Sequence, residues 1–408
     1  MEKKFLRNTG LTQKDLKEHE SIDNLLKTCP AMVCAKIMSN ASLALNGGAV
    51  LKLHKDQVII LPLGLYKQME DGVGMNKINV KLHKYPFRNY FKRYHGQNLN
   101  GKKLLIWRTG GIGDLIFIQP LLKRLKSLYP TCKITFCTAN RNTPILKTFP
   151  KGLVDYIGSL PFSLDILKNH DYHLTFEGAI ERCQESHTLD CYKIFQKMAG
   201  VDFDVEDYIP ELIPNNDIIE EYKGKIPEKV VMIQPRASSI IRTLSFKKLI
   251  ELATKVSEAG FVAGIQDSFE NSNNLQGFID KNLSNVNVFN LANLSKTISH
   301  GVVNAYYCVG SISTDSAFTH INAALNKPVV GLYGPFKGEL RMKYYKTGDW
   351  VNLSDSGWNE CKRCPCFIHE NNMLKCPYIS SKNDPKCMDS LDIDTAIEKF
   401  LKLYNNGG

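Results

Sequence analysis

Short apolar runs alternate with amphipathic stretches over most of this chain. Leu104–Trp107 is one such run. It ends in the turn Thr109-Gly110-Gly111-Ile112-Gly113-Asp114, and Leu121, Leu122, Leu125 and Leu128 then recur at helical spacing until Tyr129-Pro130. The pattern predicts strand, tight turn and helix, the opening unit of a parallel α/β domain. Lys133–Cys137, Val154–Ile157 and Tyr172–Thr175 read as later strands of the same half, and the prolines of Ile209–Pro214 close it. The series then repeats. Val230–Ile233 reads as a strand, Gln234–Thr243 as a loop, and Phe246–Ala259 as an amphipathic helix stopped by Gly260. Phe261–Ile265, Asn287–Asn290, Tyr306–Val309 and Val329–Tyr333 read as further strands. Ahead of both halves, residues 1–45 read as mainly helical and polar, with short strands at Ala49–Leu53, Gln57–Leu61 and Ile78–Leu82. The predicted organisation is an α+β module over 1–102, Rossmann-like domains over 103–215 and 216–350 facing a cleft, and a cysteine-rich segment with a C-terminal helix over 351–408.

Composition adds boundaries. The chain has 408 residues, 43% hydrophobic and 23% charged, as in ordinary globular proteins. No apolar run approaches the roughly 20 residues that cross a bilayer, and Met1–Arg7 lacks an apolar signal core, so a cytoplasmic protein without a membrane span is expected. The net charge of +11 is spread widely and is densest over Lys81–Arg93, where Tyr85, Phe87, Tyr90 and Phe91 are interleaved. No nucleic-acid-binding motif accompanies this stretch, so it reads as a basic, aromatic surface for a partner or an anionic ligand, and nucleic acid is not an expected partner.

Three segments carry candidate chemistry. At the first turn, Asp114 can point into the crevice above the strand ends, where open α/β sheets bind ligands. Gly111 and Gly113 supply G-x-G, but Ile116 stands where a dinucleotide fingerprint needs its third glycine, and no Walker Gly-Lys-Ser/Thr follows. Ser313-Thr314-Asp315-Ser316-Ala317-Phe318-Thr319-His320 opens a helix over Ala317–Leu325, and hydroxyls with free N–H groups at a helix start suit a phosphate. In Gln234–Arg242, Ser238 and Ser239 can donate to phosphate, and Arg242 can fork onto a diphosphate. Each segment alone also reads as a capped helix or a solvated loop; their order along two α/β halves is the stronger signal.

Cysteine usage marks a fourth segment. Seven of the twelve cysteines are scattered, and Cys132, Cys137 and Cys308 fall in strand-like runs as small core residues. The other five form Cys361-x2-Cys364-x-Cys366-x9-Cys376-x10-Cys387. In a reducing compartment this is a tetrathiolate pattern suited to zinc or iron. Cys366 crowds Cys364, which leaves Cys361, Cys364, Cys376 and Cys387 as the four expected ligands of one structural metal ion.

The order of these segments resembles that of the GT-B glycosyltransferases, specifically the heptosyltransferases of glycosyltransferase family 9. The resemblance covers roughly residues 103–350. It implies that Asp114 is the general base and that Asp315, Ser316 and His320 bind donor phosphates, although Ala317 replaces the usual glycine and Arg242 a usual lysine. The implied donor-binding set is Gly111, Gly113, Ser238, Ser239, Arg242, Thr314, Asp315, Ser316, His320 and Gly334. With the N-terminal module and the cysteine cluster, the chain looks like the bacterial autotransporter heptosyltransferases. That likeness implies inverting transfer of heptose from ADP-heptose to serine hydroxyls of an adhesin passenger domain, without a catalytic metal. It also favours iron over zinc at the cysteines and implies a large ring-like homo-oligomer. A lipopolysaccharide-core heptosyltransferase is the alternative, and a non-catalytic, zinc-containing nucleic-acid-binding protein a lesser one.

Overall fold

A computed structural model describes residues 32–44, 50–72, 77–180, 183–353, 376 and 385–406. The described chain divides into two compact units. The first holds residues up to Cys183 together with Tyr192–Asp204; the second holds Gln184–Cys191 and everything from Val205 onward.

The first unit contains two four-stranded sheets and one two-stranded sheet, in which residues 41–44 pair antiparallel with residues 50–53. Strands β1 (Met32–Ile37), β2 (Ala41–Ala44), β3 (Val50–Leu53), β4 (Val58–Pro62) and β5 (Val80–Leu82) come first, and helix α1 (Leu63–Asp71) follows β4. The parallel part begins with β6 (Lys103–Trp107) and α2 (Ile112–Leu128), then β7 (Lys133–Ala139), β8 (Tyr156–Leu160), β9 (Phe162–Ser163), α3 (Leu164–Lys168) and β10 (Tyr172–Thr175). The parallel sheet has the order β10-β6-β7-β8, and the antiparallel one the order β5-β1-β4-β9. Because β9 pairs with β4, the two four-stranded sheets are tied by backbone bonds. They also share a core, in which Met32, Cys34, Ile60 and Phe87 pack with Leu105, Trp107 and Cys137. Burying such a cluster on both sides of a sheet junction is what makes the N-terminal strands part of this unit.

One expectation needs correction here. Residues 32–37 and 41–44 are strands, not the helix read from their polarity. Pairing of β1 with β4 and β5 decides the matter, since tertiary pairing outweighs weak local propensity. The first 31 residues lie outside the described ones.

The second unit is a single parallel sheet of β11 (Val230–Gln234), β12 (Val262–Ile265), β13 (Val288–Asn290), β14 (Gly310–Thr314), β15 (Val329–Tyr333) and β16 (Gly348–Asn352), in the order β13-β12-β11-β14-β15-β16. The helix read at 246 is α4 (Phe246–Glu258). Ser245 caps it by accepting from Lys248 N–H at 3.2 Å, and Leu249, Leu252, Ala253 and Val256 form its buried stripe. Gly260, at φ 85°, supplies the left-handed residue that ends it. Helices α5 (Ile298–Tyr307) and α6 (Ala317–Ala324) flank β14, and the terminal helix α7 (Ile393–Asn406) buries Ile393, Ala396 and Phe400 in the same core.

Strand β14 lies four residues later than the apolar run at Tyr306 suggested. Tyr306 and Tyr307 end α5, and the strand is Gly-Ser-Ile-Ser-Thr, buried throughout. Gly310 is required there, since a Cβ would stand 2.4 Å from the Pro328 carbonyl oxygen. Small hydroxyl residues in a fully buried strand gave no apolar signal to read.

Candidate active site

The predicted functional residues fall into two clusters, one in each unit. In the first unit, β6 delivers the chain into the turn, and Gly111 stands at the N-cap of α2. Gly113 and Asp114 lie in the first turn of that helix, where a carboxylate faces the positive end of the dipole. The Asp114 carboxylate accepts from Arg108 Nη2 at 2.6 Å. Arg108 is 1% exposed, and its Nη1 also donates to the Phe176 carbonyl at 2.8 Å. Gly110 makes this possible: a Cβ there would lie 2.5 Å from the Arg108 guanidinium. Glu177, just past β10, holds the turn from the other side, accepting from Thr109 N–H at 2.5 Å and from Thr109 Oγ1 at 2.7 Å. Asn142 Nδ2 donates to the Gly110 carbonyl at 3.0 Å. Asp114 therefore sits on a braced loop, paired with a buried cation. Of the bracing residues, Arg108 could have been suspected from its position between strand and glycines; nothing in the sequence marks Glu177 or Asn142.

In the second unit, strand order reverses between β11 and β14, and this is the switch point at which open α/β sheets form a crevice. The loops after these two strands are the predicted Gln234–Thr243 and Thr314–Ser316. Thr314 Oγ1 donates to the Gln234 carbonyl at 3.2 Å, and Thr319 Oγ1 donates to the Thr314 carbonyl at 2.6 Å. Arg242 joins the loops. Its Nη1 reaches Asp315 Oδ2 at 3.2 Å and the Asp315 carbonyl at 3.1 Å, and its Nη2 reaches Ser238 Oγ at 2.7 Å. Ser239 is buried and accepts from Arg242 N–H at 3.1 Å. Ser316 is the N-cap of α6 but makes no side-chain cap bond; its hydroxyl is buried with no partner among the described residues. An unsatisfied buried hydroxyl beside open helix N–H groups is a ready anion site.

Electrostatics sharpen this cluster. Burial pushes the Asp315 carboxyl up, but Arg242 and then Arg341 outweigh it, so it titrates below the usual 3.8. Burial drives His320 down to about 4 despite the pull of Asp315, so at neutral pH the ring is an uncharged hydrogen-bonding group. The ring lies 6.0 Å from that of Tyr345. Arg341, which follows the Gly-Pro turn and is itself buried, is a second cation here that sequence reading missed.

A pH dependence follows. The unfolded chain protonates this histidine near 6.5 and the folded one near 4, so the unfolded state binds more protons in between. Stability should fall as pH drops from 6.5 towards 4, by up to about 3 kcal/mol from this residue. Denaturant melts of the parent and His320→Gln, compared across that window, check it: the variant should lose part of the slope, and an unchanged slope refutes the assignment.

The last predicted donor residue, Gly334, follows β15. A Cβ on it would stand 2.7 Å from Met388 Sδ and 3.1 Å from the Cys387 carbonyl oxygen. Its close approach is thus to the C-terminal segment, which it packs against the strand ends. Of the predicted metal ligands, Cys376 and Cys387 are half-buried, while Cys361 and Cys364 lie outside the described residues. Among the described residues no cluster of three or more His, Cys, Asp or Glu side chains could hold a metal ion. Cys132, Cys137 and Cys308 are buried thiols held up at about 11, 12 and 12 by burial, as small core residues should be. No helix among the described residues is long and apolar enough to cross a membrane.

Residues 180–372 match glycosyltransferase family 9 (heptosyltransferase). The match begins beyond Asp114 and does not cover the first cluster. No curated protein matches the chain. Among solved structures, a family 9 glycosyl transferase from Veillonella parvula DSM 2008 aligns with TM-score 0.55 at 12% identity, over 76% of this chain and 99% of its own. The E. coli ADP-heptose lipopolysaccharide heptosyltransferase II aligns with TM-score 0.52 at 15% identity, over 75% and 99%. TibC of enterotoxigenic E. coli H10407, an iron-containing dodecameric glycosyltransferase, aligns with TM-score 0.52 at 13% identity, over 93% of both chains. The chain is a glycosyltransferase that carries the family 9 (heptosyltransferase) match over residues 180–372.

Proposed function

We propose that the chain moves heptose from ADP-heptose to serine hydroxyls of an autotransporter adhesin passenger domain in the cytoplasm, with inversion at the anomeric carbon. The observation that carries this reading is the cluster in the second unit: the half-buried Arg242, a serine hydroxyl and a helix N-terminus converge at the switch point, where they suit a diphosphate. A TibC structure holds ADP-D-beta-D-heptose, which supports the same donor here. Asp114 accepts the proton of the attacking hydroxyl. Arg242, Ser238, Ser316 and the α6 N-terminus stabilise the charge that develops on the ADP leaving group. With these donors at the diphosphate the reaction needs no catalytic cation.

The acceptor is argued from coverage. TibC aligns over 93% of this chain, against 75% for the lipopolysaccharide enzyme, which favours a TibC-like protein acceptor over the lipid-linked alternative. The test is to incubate the protein with ADP-heptose and a serine-rich passenger fragment and to weigh the acceptor. Increments of one heptose each support the reading. ADP release only on a lipopolysaccharide-core acceptor replaces it with the lipid enzyme.

Cys361, Cys364, Cys376 and Cys387 are proposed to hold one structural metal ion, iron rather than zinc, since TibC is described as iron-containing. TibC is also dodecameric, which supports a large homo-oligomer here. Four thiolates would order a segment whose few apolar side chains cannot. Elemental analysis of the purified protein should give about one metal per chain, and Cys361→Ser with Cys364→Ser should abolish it. Undiminished metal in that variant refutes the ligand set.

A further inference from the structure

A cavity of about 580 Å³ lies in the first unit where the start of β4, the turn after β5 and the start of α3 meet. Its size is in the range of small-molecule sites. Its walls include the rings of Tyr85 and Tyr90, the His83 imidazole, the Gln57 amide, and the charged groups of Asp56, Asp165 and Lys168. The rings form one aromatic wall, with His83 5.8 Å from Tyr85 and 6.3 Å from Tyr90. The charges cancel locally. Asp56 pairs with Lys36 at 2.7 Å, and Lys168 offsets Asp165.

This balance limits the ligand. Two carboxylates in the wall disfavour a phosphate. A cation would compete for ring faces that already carry ammonium groups, Lys84 at 4.8 Å from Tyr85 and Lys168 at 5.4 Å from Tyr90. What remains suited is a neutral ring with an apolar face and many hydroxyls: the face lies on the tyrosines, and carboxylate, amide and ammonium groups meet the hydroxyls. We propose that this cavity is a subsite for a neutral glycosyl group already attached to the acceptor. It rests on the reading that the chain glycosylates a hydroxyl-bearing acceptor. It deepens that reading, because a product sugar held here keeps a multi-serine acceptor on the enzyme between transfers.

The test uses the full chain without donor. The probes are a serine peptide carrying one O-linked heptose, the same peptide bare, and the methyl glycoside of the heptose as competitor. The glycopeptide should bind at least tenfold more tightly than the bare peptide, and the methyl glycoside should compete. Tyr85→Ala with Asp165→Asn, both on exposed residues, should remove that difference and leave ADP affinity unchanged. Equal binding of the two peptides by the parent overturns the subsite, as does a difference that survives in the double variant. Sugar transfer itself is read separately, from ADP release with the bare peptide, so failure of that reaction is distinguishable from failure of the subsite.

Discussion

Asp114→Asn should lower the transfer rate by about 10²–10⁴-fold while ADP still binds, because a positioned general base contributes about that much. The amide keeps the size of the carboxylate and can still accept from Arg108 Nη2, now 2.6 Å from Asp114 Oδ2, but it cannot take a proton. Alanine is a different experiment. Arg108 is 1% exposed and would lose the carboxylate it pairs with at 2.6 Å. Removing one partner of a buried ion pair costs about 3–5 kcal/mol, and Asp114, at 18% exposure, points to the lower end. Asp114→Ala should therefore be both inactive and measurably less stable, and only the asparagine variant separates catalysis from folding. ADP release at saturating donor and acceptor, with a thermal melt beside it, checks both. An Asp114→Asn enzyme within tenfold of the parent removes Asp114 as the base.

The Arg108–Asp114 pair shows where sequence reading stops. The strand–turn–helix around it was legible because apolar period and glycines act locally. Its partner was not, because nothing in a linear pattern says that a guanidinium folds back over Gly110. The same holds in the second unit. The loops of Arg242 and Asp315 could be placed at strand ends by periodicity, and they meet because β11 and β14 are neighbours at the order reversal. The charge of Arg341 acts on the same carboxylate from a short helix after a Gly-Pro turn, a position that carries no signal. The N-terminal sheet was half legible. Its strands β4 and β5 were legible as short apolar runs, but the pairing of β4 with two residues at Phe162–Ser163 is a long-range contact that periodicity cannot encode.

Arg242→Ala should weaken donor binding by about tenfold to a hundredfold, the loss expected for about 1.5–3 kcal/mol of hydrogen bonding to a charged group. Two effects contribute. The diphosphate loses a bidentate donor, and the Ser238 hydroxyl and Asp315 lose the bonds that join their loops, at 2.7 Å and 3.2 Å. The second effect has its own signature. In the parent, Asp315 titrates below 3.8, so its pairing adds stability above that pH and loses it as pH falls through the lower folded value. Without Arg242, the largest opposition to burial is gone; the folded value rises, and stability at neutral pH falls. Arg242→Lys keeps the charge without the planar fork, so it should recover part of the ADP affinity but less of the loop bracing. Calorimetric titration of ADP into the three proteins, with melts at neutral and acid pH, resolves the two effects. Unchanged ADP affinity in Arg242→Ala would exclude this arginine from the donor site, whatever the melts show.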